Sequence, residues 1–334
     1  MLRRTLLGLG TAVFAAVGIS LATGAVPAQA APDTIRIDFA YYNPVSLLLK
    51  DKGWLEEEFT ADGIAVEWVH SLGSNKALEL LNSDSADFGS TAGAAALLGK
   101  INGNPIKSVY VYSKPEWTAL VTRPDTGITK IEDLKGKRVA VARGTDPYIF
   151  LLRALDSVGL KESDIEVVLL QHPDGKNALI NGDVDAWSGL DPYIAQVQVD
   201  HTGELFYRDA DKNTWGVLNV RESFAKKNPE LVERVLVVYE RARKYAIEHP
   251  DEVQTALIAA AKLTEPVAAL QLGERTDLAS AGTIGEEQKQ SILAAGQVLQ
   301  QSGVIKPEVD VAKAINDLID PQYIERALKK LAAL

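Results

Sequence analysis

The stretch that decides the fold runs over residues 138–147 and reads RVAVARGTDP. Its alternating valines predict a short β-strand, and Gly144 supplies the backbone freedom that a tight turn requires. Either Thr145 or Asp146 is expected to cap the helix that follows. Pro147 then lies in the first helical turn, where its missing N–H costs nothing.

The turn before this helix is a candidate anion site. The apolar run 148–155 predicts the helix, which we expect to end at Gly159. The first amides of a helix have no intrahelical acceptor, and the helix dipole adds partial positive charge there. An anion can therefore bind at this turn without a cationic side chain.

The same order of elements occurs about a hundred positions earlier in the chain. Residues 35–39 predict a strand, and Asn43 followed by Pro44 repeats the cap-then-proline signal. The next matched segments are 63–68 with 164–169 and 80–87 with 179–185. This order predicts two related α/β lobes. The alternative is that unrelated strand–helix turns merely look alike.

The charge balance argues against a nucleic-acid partner. The formal net charge is −10, and it becomes −12 without residues 1–30, which carry Arg3 and Arg4 and no acidic residue. The length of 334 residues allows two domains, and the 46% apolar and 24% charged content is typical of a globular protein. Backbone amides could still bind a small anion locally.

Residues 1–30 have the pattern of a secretion signal. Arg3 and Arg4 precede an apolar stretch, and Ala28-Gln29-Ala30 resembles a cleavage site. A membrane anchor is the alternative, but three glycines interrupt the apolar stretch. The chain has no cysteine, which excludes disulfides, thiol nucleophiles and a lipidated cysteine. We expect a periplasmic protein that is soluble once the signal is removed.

The chain order predicts where the lobes begin and end. Residues 31–115 form the first part of lobe one, 116–213 form lobe two, and 214–334 complete lobe one with C-terminal helices. The chain would cross between the lobes near Trp117 and again near Trp215. We therefore expect an α/β fold of two mixed sheets joined by two crossover strands, with a ligand cleft at the carboxyl ends of the strands.

The candidate ligand-binding residues all follow predicted strands or lie beside a crossing. For each hydroxyl or carboxyl residue, capping its own helix is the competing explanation. Trp117 or Tyr42 would contact the organic part of the ligand. The candidates are Tyr42, Asn43, Gly73, Ser74, Thr91, Ala92, Gly93, Trp117, Gly144, Thr145, Asp146 and Asp191.

Other chemistry finds little support in the sequence. The four histidines have no metal-ligand spacing. His70 and His172 lie near matching strand ends and could enter the cleft, but we expect solvated or capping roles for both. No P-loop is present. Asp183 and Asp185 follow a turn, so we interpret them as turn and cap residues. No catalytic residue, metal or cofactor is predicted.

Several segments resemble the solute-binding proteins of ABC importers, and in particular those for aliphatic sulfonates, taurine and nitrate. The segments are 131–141 (IEDLKGKRVAV), 183–187 (DVDAW), 191–193 (DPY) and 224–229 (FAKKNP). The resemblance implies a type II periplasmic binding fold that closes on its ligand and delivers it to a membrane permease. Many relatives have an acidic residue where Ala94 stands, and relatives often have an aromatic residue near Leu190. Both departures fall in the expected pocket and bear on the organic part of the ligand more than on its anionic head.

We therefore expect a monomeric binding protein for a small organic anion, with an alkanesulfonate as the first candidate. Taurine, nitrate or another small anion or amine-containing solute are alternatives with the same role. An enzyme on the same scaffold is a third reading, although the related enzymes depend on cysteine or on histidine-rich sites. A sensor domain would need a transmembrane or signalling segment.

Overall fold

The computed structural model describes residues 31–333, and the expected secretion signal lies outside this range. The strands are β1 (Thr34–Phe39), β2 (Ala65–His70), β3 (Phe88–Ala92), β4 (Ile106–Pro115), β5 (Thr118–Thr122), β6 (Arg138–Val141), β7 (Glu166–Leu169), β8 (Ala186–Leu190), β9 (Glu204–Tyr207), β10 (Gly216–Arg221) and β11 (Thr276–Asp277).

The α-helices are α1 (Pro44–Lys52), α2 (Trp54–Thr60), α3 (Ser74–Asn82), α4 (Gly93–Ile101), α5 (Asp146–Ser157), α6 (His172–Asn181), α7 (Tyr193–Val199), α8 (Glu222–Lys227), α9 (Pro229–Glu248), α10 (Pro250–Ala261), α11 (Glu265–Glu274), α12 (Glu286–Gln301), α13 (Val311–Leu318) and α14 (Gln322–Leu331). Among residues 31–333, none of these helices has both the length and the apolar character that a membrane crossing requires.

Two mixed sheets organise these elements. The first has the strand order β11-β4-β10-β3-β1-β2 and the second has the order β7-β6-β8-β5-β9. We call the first sheet with its helices lobe one and the second sheet with its helices lobe two. The predicted α/β fold with two mixed sheets is confirmed.

The two sheets repeat one topology. In lobe one, β1 lies parallel to β2 and β3, and β10 pairs antiparallel with β3. In lobe two, β6 lies parallel to β7 and β8, and β5 pairs antiparallel with β8. Each antiparallel strand enters its sheet just after the chain has crossed from the other lobe. The repeat found in the sequence therefore corresponds to a repeat in strand order.

The central strands are buried on both faces, as expected for parallel strands covered by helices. Phe88 on β3 and Trp187 on β8 are both fully buried and anchor the cores of the two lobes. The edge strands β2 and β7 are only partly buried.

Several predicted boundaries were wrong. The strand expected at 85–89 is β3 at 88–92, because Ser90, Thr91 and Ala92 continue the strand before α4 begins. Helix α6 begins at His172, four residues before the expected start. The helices α2, α11 and α13 were not predicted, since their apolar patterns are short.

The C-terminal helices contact both lobes, although we expected them to pack on lobe one. Helix α12 packs against α4 and α13 in lobe one and also against α5 in lobe two. Helix α11 packs against α7, and Ala195 of α7 joins an apolar cluster with Leu47, Leu257 and Ala268. Two helices therefore connect the lobes in addition to the crossing segments.

A buried carboxylate joins both crossing segments to lobe two. Asp146, at the start of α5, accepts a hydrogen bond from Trp117 Nε1 at 2.8 Å in the first crossing. It also accepts hydrogen bonds from the Thr214 amide at 3.0 Å and the Thr214 hydroxyl at 2.7 Å in the second crossing. All three residues are at most 3% exposed, so water does not compete for these donors.

A second buried carboxylate lies in lobe one. Asp38 Oδ1 accepts hydrogen bonds from the amide and hydroxyl of Ser90, and Oδ2 accepts one from the Ser71 hydroxyl. These bonds tie β1 to β3 and to the turn after β2. Burial raises the pKa of Asp38 to about 6, and its hydrogen bonds oppose this rise only in part.

Replacing Asp146 with alanine should destabilise the protein by about 3 kcal/mol, because three buried donors would lose their acceptor. Asp146→Asn keeps one side-chain oxygen as an acceptor and should cost clearly less. Urea unfolding at neutral pH measures both variants. Equal losses in the two variants would contradict the role of Asp146 as an acceptor.

Asp38→Asn should change how stability depends on pH. The raised pKa means that Asp38 favours the folded state below its ordinary pKa of 3.8 and that this contribution is lost as the pH rises through about 6. Asparagine cannot ionise, so the unfolding free energy of the variant should gain on wild type by about 2–3 kcal/mol between pH 4 and pH 7. Urea unfolding at both pH values tests this, and a constant difference would refute it.

Candidate functional site

Helix starts from the two lobes meet at one junction. A Cβ built on Gly73, just before α3 of lobe one, would lie 2.9 Å from Nε2 of His172, the first residue of α6 in lobe two. A Cβ built on Gly144, before α5, would lie 3.5 Å from the Cβ of Asn75 in α3. The starts of α3, α5 and α6 are therefore neighbours, and their dipoles all place partial positive charge at the junction.

The junction offers backbone donors. First-turn amides have no intrahelical acceptor, and the turn and cap hydrogen bonds of residues 31–333 include none from the amides of Ser74, Asn75 or Thr145. The Thr145 hydroxyl donates to the Ala142 carbonyl at 2.6 Å, whereas the Ser74 hydroxyl accepts the Ala92 amide at 3.0 Å and keeps its own O–H as a donor. The sequence predicts Ser74 as a helix cap, but α3 has no side-chain cap and Ser74 bonds to β3 instead.

Gly144 provides the tight turn that the sequence predicts, with φ of +78°. Thr145 occupies the cap position of α5 without a side-chain capping bond. Asp146 uses both oxygens for the crossing segments, as described above. Of these three residues, Gly144 and Thr145 face the junction through their backbone, whereas Asp146 has a structural role.

An aromatic wall borders the cleft near the first crossing. Tyr42 and Trp117 pack edge to face with ring centroids 5.7 Å apart, and Tyr112 lies 6.3 Å from Trp117. The Tyr42 hydroxyl donates to the Ser90 carbonyl at 2.9 Å. Tyr42 also lines a small cavity of about 10 Å³ between the lobes, shared with Ser71 and Tyr193. This volume holds about one water molecule, so the two lobes lie close together at this point.

The start of α4 is covered rather than open. The Gly93 amide donates to the Trp215 carbonyl at 2.9 Å, and a Cβ on Gly93 would lie 2.8 Å from Ile292 of α12. Thr91 accepts a hydrogen bond from Asn219 at 2.8 Å inside the sheet. The amides of Ala92 and Gly93 therefore have protein acceptors, the Ser74 hydroxyl and the Trp215 carbonyl.

Asn43 and Asp191 also bond within the protein. Asn43 donates to the Ser90 hydroxyl at 2.8 Å and accepts the Ser46 amide, which caps α1 as predicted. Asp191 accepts the Ala195 amide in α7 and forms a buried ion pair with Arg275 at 3.0 Å. Burial raises the pKa of Asp191, and the charge of Arg275 opposes this effect. No sequence pattern indicated Arg275, which is the single residue between α11 and β11.

The prediction that His172 is solvated or caps a helix was wrong. Its side chain is fully buried, it caps no helix, and neither ring nitrogen has a hydrogen-bond partner among the described residues. Burial lowers the pKa of His172 to about 3, so the imidazole is neutral. The side-chain oxygen of Asn75 lies 3.1 Å from the Cβ position built on Gly73. It is also buried without a hydrogen-bond partner among the described residues.

A larger cavity opens beside the junction. It measures about 600 Å³ and is lined by Asn75 and Leu78 from lobe one, by Gly144 and Tyr148 from lobe two, and by the turn at 302–304 after α12. This volume is in the range of small-molecule sites. Among residues 31–333, no group of three or more histidine, aspartate or glutamate side chains could hold a metal ion.

Comparison with known proteins identifies relatives along most of the chain. A protein of Bacillus subtilis (strain 168) assigned as an aliphatic sulfonates-binding protein is 27% identical over 287 residues, which is 85% of each chain. The 4-amino-5-hydroxymethyl-2-methylpyrimidine phosphate synthase of Schizosaccharomyces pombe is 29% identical over 163 residues, covering 48% of this chain and 44% of the synthase.

Solved structures share the fold. The alkanesulfonate-binding protein SsuA from Xanthomonas axonopodis pv. citri, bound to MOPS, aligns with a TM-score of 0.79 at 23% identity over 88% of this chain and all of SsuA. The Candida albicans CA3427 product, described as having the generic periplasmic binding protein fold, aligns with a TM-score of 0.69 at 16% identity over 86% of this chain and 95% of its own. The expected periplasmic binding fold is confirmed.

A family model described as NMT1/THI5 like matches residues 46–253, more than half of the 334 residues. The match begins in α1 and ends in α10, so it includes the whole second sheet, β2, β3, β4 and β10 of the first sheet, and the junction. The resemblance to sulfonate-binding proteins, first drawn from short motifs, is confirmed by the relatives above. The chain belongs to the NMT1/THI5-like family.

Proposed function

We propose that this protein is the solute-binding component of an ABC importer and that it captures a small organic anion between its lobes. An aliphatic sulfonate is the first candidate. The observation that carries the proposal is the meeting of three helix starts at Gly73, Gly144 and His172, with unpaired amides on both sides. Partial positive charge from both lobes would attract an anion and would favour closure around it.

The relatives support this role. The Bacillus subtilis protein is similar over 85% of both chains and is assigned to sulfonate binding. The expected secretion signal supports a periplasmic location, and a membrane permease would be the partner that receives the ligand. We propose that the protein acts as a monomer.

The proposed mechanism is closure on the ligand. The amides of Ser74, Asn75 and Thr145 would donate to the oxygens of the sulfonate, and the aromatic wall would contact the alkyl part. Trp117 and Tyr42 are packed together in the closed lobes, so Tyr42, which lines the interlobe cavity, is the better placed of the two.

Other small ligands and one other class of function, an enzyme, are the alternatives to this proposal. Taurine, nitrate or another small anion or amine-containing solute would use the same helix starts. The similarity to a Schizosaccharomyces pombe synthase covers about half of this chain and is the specific reason to consider an enzyme. Chemical change of a bound compound, followed by mass spectrometry, would support the enzyme and count against a binding protein.

The correct ligand should raise the melting temperature by roughly 5 °C at a concentration near one hundred times its Kd, since ligand that binds only the folded state stabilises it. Thermal unfolding with ethanesulfonate, taurine, nitrate and sulfate at millimolar concentration tests this. Sodium chloride at equal ionic strength is the control. If none of the four raises the melting temperature above that control, the proposed ligand class is wrong.

Gly73→Ala should weaken sulfonate binding at least about tenfold, because the new Cβ would meet His172 at 2.9 Å when the lobes close. The φ of Gly73 is 177°, an extended value open to any residue, so the backbone itself is not strained. Gly273→Ala in α11 is the matched control, since among residues 31–333 no heavy atom beyond its chain neighbours and the backbone of its own helix lies within 4 Å of its Cβ position. Calorimetric titration of both variants decides, and equal affinities would contradict closure at this junction.

A further inference from the structure

We propose that His172 contacts the ligand directly, donating a hydrogen bond from its imidazole to an oxygen of the bound anion, with the side-chain amide of Asn75 as the second contact. This inference rests on the proposed function and adds two side chains to a site otherwise made of backbone amides. In the sequence, a cleft position was the alternative interpretation of His172, and no motif indicated Asn75.

The His172 imidazole and the Asn75 side-chain oxygen lack hydrogen-bond partners among the described residues, at positions from which water is excluded. His172 is 0% exposed, and within residues 31–333 neither of its ring nitrogens has a hydrogen-bond partner, nor does the buried side-chain oxygen of Asn75. Buried polar groups in folded proteins nearly always have a hydrogen-bond partner, and leaving one without costs free energy. A ligand with oxygen acceptors would accept a hydrogen bond from the imidazole N–H, and the Asn75 amide would donate to it once rotated so that its NH₂ group faces the ligand.

The side chains of His172 and Asn75 also lie close to each other. Nε2 of His172 and Oδ1 of Asn75 lie 2.9 and 3.1 Å from one point beside Gly73, so they are at most about 6 Å apart. One ligand atom could therefore approach both. The two residues come from opposite lobes and from the starts of α6 and α3. Contact with both would require closed lobes.

Both side chains also have hydrogen-bonding groups that suit an anionic oxygen. The low pKa of His172 keeps its imidazole neutral, with one N–H donor and one acceptor nitrogen. The amide of Asn75 can present either its oxygen or its NH₂ group, depending on its rotation. Together they could bind an anionic oxygen without adding charge to the cleft. The expected ligand therefore has oxygen acceptors, as a sulfonate does.

Three variants of residue 172 test the contact. His172→Phe keeps the ring volume but removes the donor, and it should weaken ethanesulfonate binding about tenfold to a hundredfold. His172→Gln places an amide N–H near the original Nε2 and should retain most of the affinity, whereas His172→Asn, whose amide reaches only the Nδ1 position, should not. Calorimetric titration gives the affinities, and thermal unfolding without ligand checks the fold.

Nuclear magnetic resonance of wild type labelled with ¹⁵N-histidine provides a test without mutation. The His172→Gln spectrum identifies the His172 signal, and ethanesulfonate should shift its Nε2 resonance. An unchanged resonance in the bound protein, or wild-type affinity in His172→Phe, would overturn this inference and leave the proposed function standing. Failure of wild type to bind any tested anion would overturn both.

Discussion

The arrangement of the two lobes depends on the carboxylate of Asp146. It accepts hydrogen bonds from both crossing segments, through Trp117 and Thr214, at the point where α5 begins. The start of α5 therefore holds both crossing segments through Asp146, and it also includes Thr145 at its cap position. A buried charge at a helix N-terminus is favoured by the dipole, which helps explain why an acidic residue is tolerated there.

Much of the fold could be predicted because the repeat is written in local signals. A strand, a glycine or proline turn and an apolar run recur in the same order, and the two sheets have matching strand orders. Asp191 followed by Pro192 is a further cap-then-proline pair and predicts a helix from Tyr193, which is where α7 begins. Such signals depend on backbone geometry near one residue, so a sequence reveals them directly.

The site could be predicted only in part. Gly73, Ser74, Gly144 and Thr145 were predicted and lie at the junction, because turns after parallel strands share one edge of a sheet. The alternative that polar residues cap or bond locally applies to Asn43 and Asp191, which bond within the protein. His172 and Asn75 were not predicted as a pair, since their proximity depends on how one lobe meets the other. No local pattern records that relation.

The contacts of α11 and α12 bear on what can fold as a unit. Both helices follow the second crossing in the chain, yet they cover faces of α7 and α5 in lobe two. A fragment limited to residues 116–213 would leave those apolar faces in water. The segment 31–334 forms one compact unit by its internal contacts. Lobe two therefore draws part of its covering layer from helices that lie in the last quarter of the chain.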